Sequence, residues 1–378
     1  MSGAACDHPN KDTYTPECMT KVDAKKAIAA GAQDCMADAV AACVADTPDA
    51  DCGLSGTNKA SIIAAVLECN GEASMSDEQF GRMQEKAKAG KVAGAYKAAT
   101  ASCAATGKAA CVKTAASDAC KAVKGTACGD EELILGRNKG AAKDMAETIA
   151  ACMDSGEVKA ACDTAKETAY TAATGKTFTA TGAAKLQKKG ARGAVAELMG
   201  ACYDLAADFA AKRKCNDPAE VPEIKQAFAA ALGKSAADIT GTEFKAAVVK
   251  GAKSDAGVAV GGCLGQIDAA TTGAQRKTAV KACHTASITL ARAGLGKPEA
   301  TDMSDMQVKD FLQESAKGLE KDKFEACFET AAEIVDAVAQ KTAKDNCRGT
   351  GAGAATKRTE FKETCGKPDW SDTRAEKE

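Results

Sequence analysis

The chain has 378 residues, with 50 basic against 52 acidic, 45% hydrophobic but only 4% aromatic residues, and 19 cysteines. The near-neutral balance implies no strongly basic face, so nucleic acid is not an expected partner, and no apolar run approaches the roughly 20 residues of a membrane span. Alanine, the commonest residue, buries little area at about 25 cal/mol per Å² but is the best helix former, so the composition predicts closely spaced helices held together by some further device.

The cysteines are that device. There are two histidines, His8 and His284, and no C-x-x-C pair, whereas zinc sites need closely spaced Cys and His ligands. Disulfides belong to oxidising compartments, which predicts an extracellular location or the lumen of a secretory compartment. Met1 to Cys18 lacks the roughly 7–15-residue apolar segment of a secretory signal, so no signal peptide is expected within this numbering.

In chain order, the sequence divides into an N-terminal segment (1–20) and six repeats at 21–74, 75–128, 129–178, 179–238, 239–302 and 303–355. A truncated repeat with a polar tail follows at 356–378. An apolar residue precedes a cysteine by nineteen positions at Leu133/Cys152, Ala183/Cys202, Phe244/Cys263 and Val308/Cys327; Phe80/Cys103 is a copy with four extra residues. Lys139-Gly140-Ala141, Lys189-Gly190-Ala191 and Lys250-Gly251-Ala252 recur in one register, with Glu314-Ser315-Ala316 as the fourth copy. Ser76-x-x-Gln79, Thr240-x-x-Glu243 and Ser304-x-x-Gln307 are capping boxes that start helices. Gly129-x-x-Glu132 and Thr179-x-x-Gly182 each keep half of one.

Each start opens a helical stripe, as in Phe244, Val248, Ala252, Ala256, Val260 and Cys263, or Phe324, Phe328, Ala331, Val335 and Val338. Both stripes read as core. A turn and a second helix follow, the latter ending at Gly175, Gly233 or Gly296, where positive φ is expected. The fold class is therefore all-α: a solenoid-like tandem array of disulfide-stapled helical hairpins.

In such a hairpin, a cysteine before the turn faces one after it. This predicts Cys152–Cys162, Cys202–Cys215, Cys263–Cys283 and Cys327–Cys347, the last across a stretch that reads as nearly unbroken helix. Repeats 1 and 2 carry four cysteines each, and their pairing stays open. Cys6, Cys18 and Cys365 fall outside the repeats as candidates for intermolecular bonds. The tail from Gly366 reads as disordered or as an arm docking on a neighbouring chain.

No catalytic set, cofactor site or metal site is expected. Gly175-Lys176-Thr177, Gly233-Lys234-Ser235 and Gly296-Lys297-Pro298 lack the earlier glycine and the strand of a phosphate loop. Gly349 to Gly353 reads as a linker. His284 beside Cys283 suggests a Cys–His nucleophile, but adjacent helical residues point apart. Asp130-Glu131-Glu132 suits a helix N-terminus, and Lys185 to Arg192 reads as a solvated face.

The unit, a capped helix ending in cysteine and then a helix closing with Ala231-Leu232-Gly233-Lys234, resembles uncharacterised alanine- and cysteine-rich tandem repeat proteins of marine protists; the likeness implies no activity. The expected role is a structural or assembly subunit of a fibre, sheath or coat, partnered by copies of itself. The alternative is a helical-repeat binding module for a protein or a small apolar ligand.

Overall fold

The computed structural model describes residues 31 to 377 except 32, 47–51, 53–55, 71–73, 105, 107, 156–158, 206–209, 211–213, 216, 218–221, 266, 268–270, 296, 298–302 and 349–353. Among the described residues it is all-helical, without strands. Unit 1 has α1 (33–46) and α2 (Lys59–Asn70). Unit 2 has α3 (Asp77–Ser102) and α4 (Lys108–Lys124), and unit 3 has α5 (Asp130–Asp154) and α6 (Lys159–Thr174). Unit 4 has α7 (Ala180–Leu205) and α8 (Pro222–Ala231), unit 5 α9 (Gly241–Leu264) and α10 (Gly273–Leu295), and unit 6 α11 (Asp305–Ala332) and α12 (Ala337–Cys347). Two shorter helices close the chain, α13 (Ala354–Thr364) and α14 (Asp372–Lys377).

Local chemistry sets the helix ends. Ser76, Thr240 and Ser304 accept from the backbone N–H of Gln79, Glu243 and Gln307, whose side chains accept in return from the cap residue's own N–H. The half-boxes keep complementary halves. Glu132 accepts from Gly129 N at 3.1 Å, and Thr179 Oγ1 accepts from Gly182 N at 3.2 Å. Gly175 and Gly233 adopt φ of +66° and +64°, and Lys234 N closes back onto Ala229 O at 2.9 Å, the bond of a glycine-ended helix.

Seven disulfides lie among the described residues: Cys43–Cys52, Cys103–Cys111, Cys120–Cys128, Cys152–Cys162, Cys202–Cys215, Cys263–Cys283 and Cys327–Cys347. The last four are the pairs expected from hairpin spacing. Cys120–Cys128 instead ties the end of α4 to the approach to α5. Closing a loop of ~15 residues is worth about 3 kcal/mol in the chain-entropy model.

Each hairpin's core is completed by the unit that follows it. Phe80 of unit 2 joins Met36, Val40, Ile62 and Val66 of unit 1. Leu133 joins Val92, Ala116 and Cys120 of unit 2, and Ala183 joins Met145 and Tyr170 of unit 3. Phe244 joins Val195, Met199 and Phe228 of unit 4, and Val308 joins Val260, Ala291 and Leu295 of unit 5. These plugs are the apolar residues that mark the sequence repeat, and all are at most 2% exposed.

The recurrent glycine is where neighbouring long helices touch. It lies twelve residues before the cysteine in Gly31, Gly140, Gly190 and Gly251, with Ser315 in unit 6. A Cβ on Gly140 would overlap the Ala93 side chain, and one on Gly190 would overlap the Ala142 carbonyl. At Gly251 it would stand 2.6 Å from Arg192 O and 3.1 Å from Ala196 Cβ. The glycine of one unit thus rests on a small residue of the unit before it: Ala93, Ala146 or Ala196. Between units 5 and 6 the sizes exchange. Ser315 is the larger partner, and Gly257 faces it where a Cβ would be tight, 3.0 Å from the Ser315 carbonyl oxygen. Ala37 and Ala87 share one buried cluster between units 1 and 2.

Successive long helices lie side by side, but the array does not run straight. α9 also packs on α3, and α11 on α5, so units 2 and 5, and units 3 and 6, meet face to face. At the first crossing a Cβ on Gly262 would stand 2.5 Å from the Gly81 backbone. The chain therefore coils onto itself where an open solenoid would present a concave face.

Three further expectations need correction. The stretch between Cys327 and Cys347 breaks at Glu333–Asp336, where Asp336 caps a new helix by accepting from Ala339 N at 2.7 Å. That break puts Val335 and Val338 in solvent, at 100% and 75% exposure, so this stripe is only partly core. The tail folds back on its own chain: Asp369 pairs with Lys277 and Lys281, Asp372 with Lys362, and Trp370 lies beside Phe361.

Gly190→Ala is expected to destabilise the protein by about 1–3 kcal/mol, because a backbone carbonyl cannot step aside. Gly193→Ala on the same helix meets nothing within 4 Å and is expected to be neutral or to stabilise by up to about 1 kcal/mol through helix propensity. Urea denaturation of the two variants checks both signs.

Candidate functional site

The coiling brings charged residues of distant units together along one seam. Asp255 of α9 faces Arg82 and Lys86 of α3 at 3.3 and 3.0 Å. Lys189 of α7 pairs with Asp322 of α11 at 2.7 Å, and Lys185 with Glu325 at 2.8 Å. Glu329 of α11 is held by Arg137 and by Lys176, and it accepts from Asn138 Nδ2 at 3.0 Å. The Arg137 guanidinium, 3% exposed by residue, lies 5.3 Å from the Tyr96 ring centre. The lysine of the Lys-Gly-Ala repeat thus serves the seam from Lys189, and Lys86 serves it from the matching place in unit 2.

Burial and pairing set the charges here. Burial opposes ionisation of Asp255, but Arg82 and Lys86 outweigh it and hold its pKa at about 2. Burial likewise opposes Glu85, and Lys88, at 2.6 Å, pulls it below the usual carboxylate range. Burial pulls Lys139 below the ordinary lysine value, with the acids Glu85 and Asp322 opposing and the cations Lys88 and Lys189 adding to the shift. The seam's geometry is that of ion pairs closing helix contacts.

The other residues singled out by sequence have structural places. Cys283 is bonded to Cys263, which commits its sulfur. Burial lowers the pKa of His284, whose Nε2–H donates to Thr364 O at 2.8 Å; its ring faces Gly366, which adopts φ of +65°. Asp130, Glu131 and Glu132 pair with Lys113, Lys357 and Lys124. The run from Lys185 to Arg192 is only partly a solvated face, because Lys185 and Lys189 belong to the seam. Lys188 and Arg192 border an open depression along α7 with Ala180, Thr181 and Ala184.

Cys365 is buried, 2% exposed, which sets its sulfur away from a second chain; Cys6 and Cys18 lie outside the described residues, as do Gly296 and the 349–353 stretch. Among the described residues no three His, Cys, Asp or Glu side chains gather as metal ligands, and no helix is long and apolar enough to cross a membrane. Sequence reasoning missed Asp255, Asp322 and Glu329. Each is an isolated acid on a helix, and only the three-dimensional coiling gives it a partner.

No protein-family model matches the chain, and neither a curated protein nor a solved structure matches it.

Asp255 supplies a pH test of the seam. Its folded pKa of about 2 lies below the ordinary value of 3.8, so its stabilisation is complete above pH ~4 and is lost as the pH falls towards 2. The size is on the order of 2 kcal/mol. Asp255→Asn is expected to be less stable than the parent at pH 6, and the gap is expected to narrow between pH 4 and pH 2 in thermal melts.

Proposed function

We propose that the chain is a structural or assembly protein of an extracellular or lumenal compartment, a rigid subunit whose copies associate side by side in a sheath or coat. The observation that carries this reading is the placement of the disulfides. Hairpin after hairpin is closed by its own sulfur bridge, and the seam adds cross-links between units remote in sequence. Such investment suits a part that must hold its shape in an oxidising setting.

Self-association is supported by the turn of unit 6. Val335 and Val338 are 100% and 75% exposed, and Phe324 is 46% exposed on the preceding helix. Large apolar side chains left in water are candidate contacts for a protein partner. In sedimentation velocity without reductant, the full chain is expected to form larger species as concentration rises. Val335→Asp with Val338→Asp is expected to return it to monomer. A parent chain that stays monomeric from micromolar to millimolar concentration contradicts the assembly role.

A further inference from the structure

The repeat register shows how each unit receives the next one, and unit 6 departs from it at the receiving positions. Seven residues before the cysteine stand Met36, Met145, Val195 and Ala256, all buried; unit 6 has Glu320. Six before it stand Ala37, Ala146, Ala196 and Gly257, the joint residues; unit 6 has Lys321, which is exposed. Four before it stand Ala39, Thr148, Leu198 and Ala259, none of them charged; unit 6 has Lys323. Three before it stand Val40, Ile149, Met199 and Val260, none more than 3% exposed, whereas Phe324 is 46% exposed.

The charged replacements answer one another. Lys323 pairs with Glu320 at 2.8 Å, and Lys357 of α13, paired with Glu131 at 2.8 Å, adds its charge nearby. The segment that copies the next plug does not take that role: Phe361 sits against Trp370, outside the cluster of Cys327, Ala331 and Cys347. At the other end of the array the joint glycine of unit 1, Gly31, is exposed, and among the described residues nothing lies within 4 Å of where its Cβ would be.

We propose that unit 6 is a terminal cap, in which Glu320, Lys321 and Lys323 close the array against a second copy of this chain presenting the Gly31 end of unit 1. A docked helix would have to bury the Lys321 ammonium and split the Glu320–Lys323 pair, and burying an unpaired charge is costly. Terminal repeats with a polar outer face keep arrays soluble and finite. The proposal goes beyond the structural role, because it concerns which surface copies are kept from using.

The test restores the receiving residues of unit 4: Glu320→Val, Lys321→Ala and Lys323→Leu. It is made in the full chain carrying Val335→Asp and Val338→Asp, so that side-by-side association does not mask the result. Sedimentation velocity is expected to show a ladder of oligomers growing with concentration, where the background chain stays monomeric. Adding Gly31→Leu, which fills the exposed joint position, is expected to abolish the ladder. Lys321→Ala alone is expected to act in the same direction with at least a severalfold weaker effect, and it gives the readout should the triple variant lose its helical circular dichroism. A monomeric triple variant, or association that Gly31→Leu leaves unchanged, overturns the proposal.

Discussion

Where Gly140 meets Ala93, and Gly190 meets the Ala142 carbonyl, two helices come closer than a further methyl group allows. Spacing between packed helices follows the size of the side chains at the contact. A chain with 4% aromatic residues has few large groups with which to fill wider gaps. Short spacing brings backbones and alanine methyls into mutual contact, and many small dispersion terms then add up. The size exchange at Ser315 and Gly257 shows that the sum of the two partners is held small, whichever helix carries the glycine.

Close joints leave each hairpin with a shallow core of its own, and the rest of the architecture compensates. The plugs Phe80, Leu133, Ala183, Phe244 and Val308 fill the preceding unit, so no unit from 1 to 5 completes its core alone. Disulfides limit the unfolded alternatives of each hairpin. The seam adds charge pairs, of which Asp255 with Arg82 and Lys86 joins residues far apart in sequence. A partly buried acid of this kind is stabilising only while its partners remain, so the coil is specified by particular residues as well as by shape.

The elements legible in the sequence are those governed by local rules. The capping boxes at Ser76, Thr240 and Ser304 mark helix starts because the reciprocal bonds span three residues. The hairpin disulfides of units 3 to 6 are legible because the partners are 10 to 20 residues apart, whereas four cysteines in one unit leave the pairing open. The recurrence of Lys-Gly-Ala is visible, but its meaning is not, since the carbonyl that demands glycine belongs to another unit. The break at Glu333–Asp336 has no glycine or proline to announce it, and only the Asp336 cap marks it. The coiling is hidden for a stronger reason. It depends on Asp255, Asp322 and Glu329, which on their own helices look like any solvated acid.

The size complementarity of the joints is tested most directly by a double-mutant cycle on Gly140 and Ala93, where the conflict is between side chains and so can be relieved. Unfolding free energies are measured for Gly140→Ala, Ala93→Gly and the exchanged pair. If helix approach is limited by the summed size of the two residues, the exchanged pair is more stable than the two single effects predict, by about 1 kcal/mol or more. Additivity of the two effects within about 0.5 kcal/mol contradicts it.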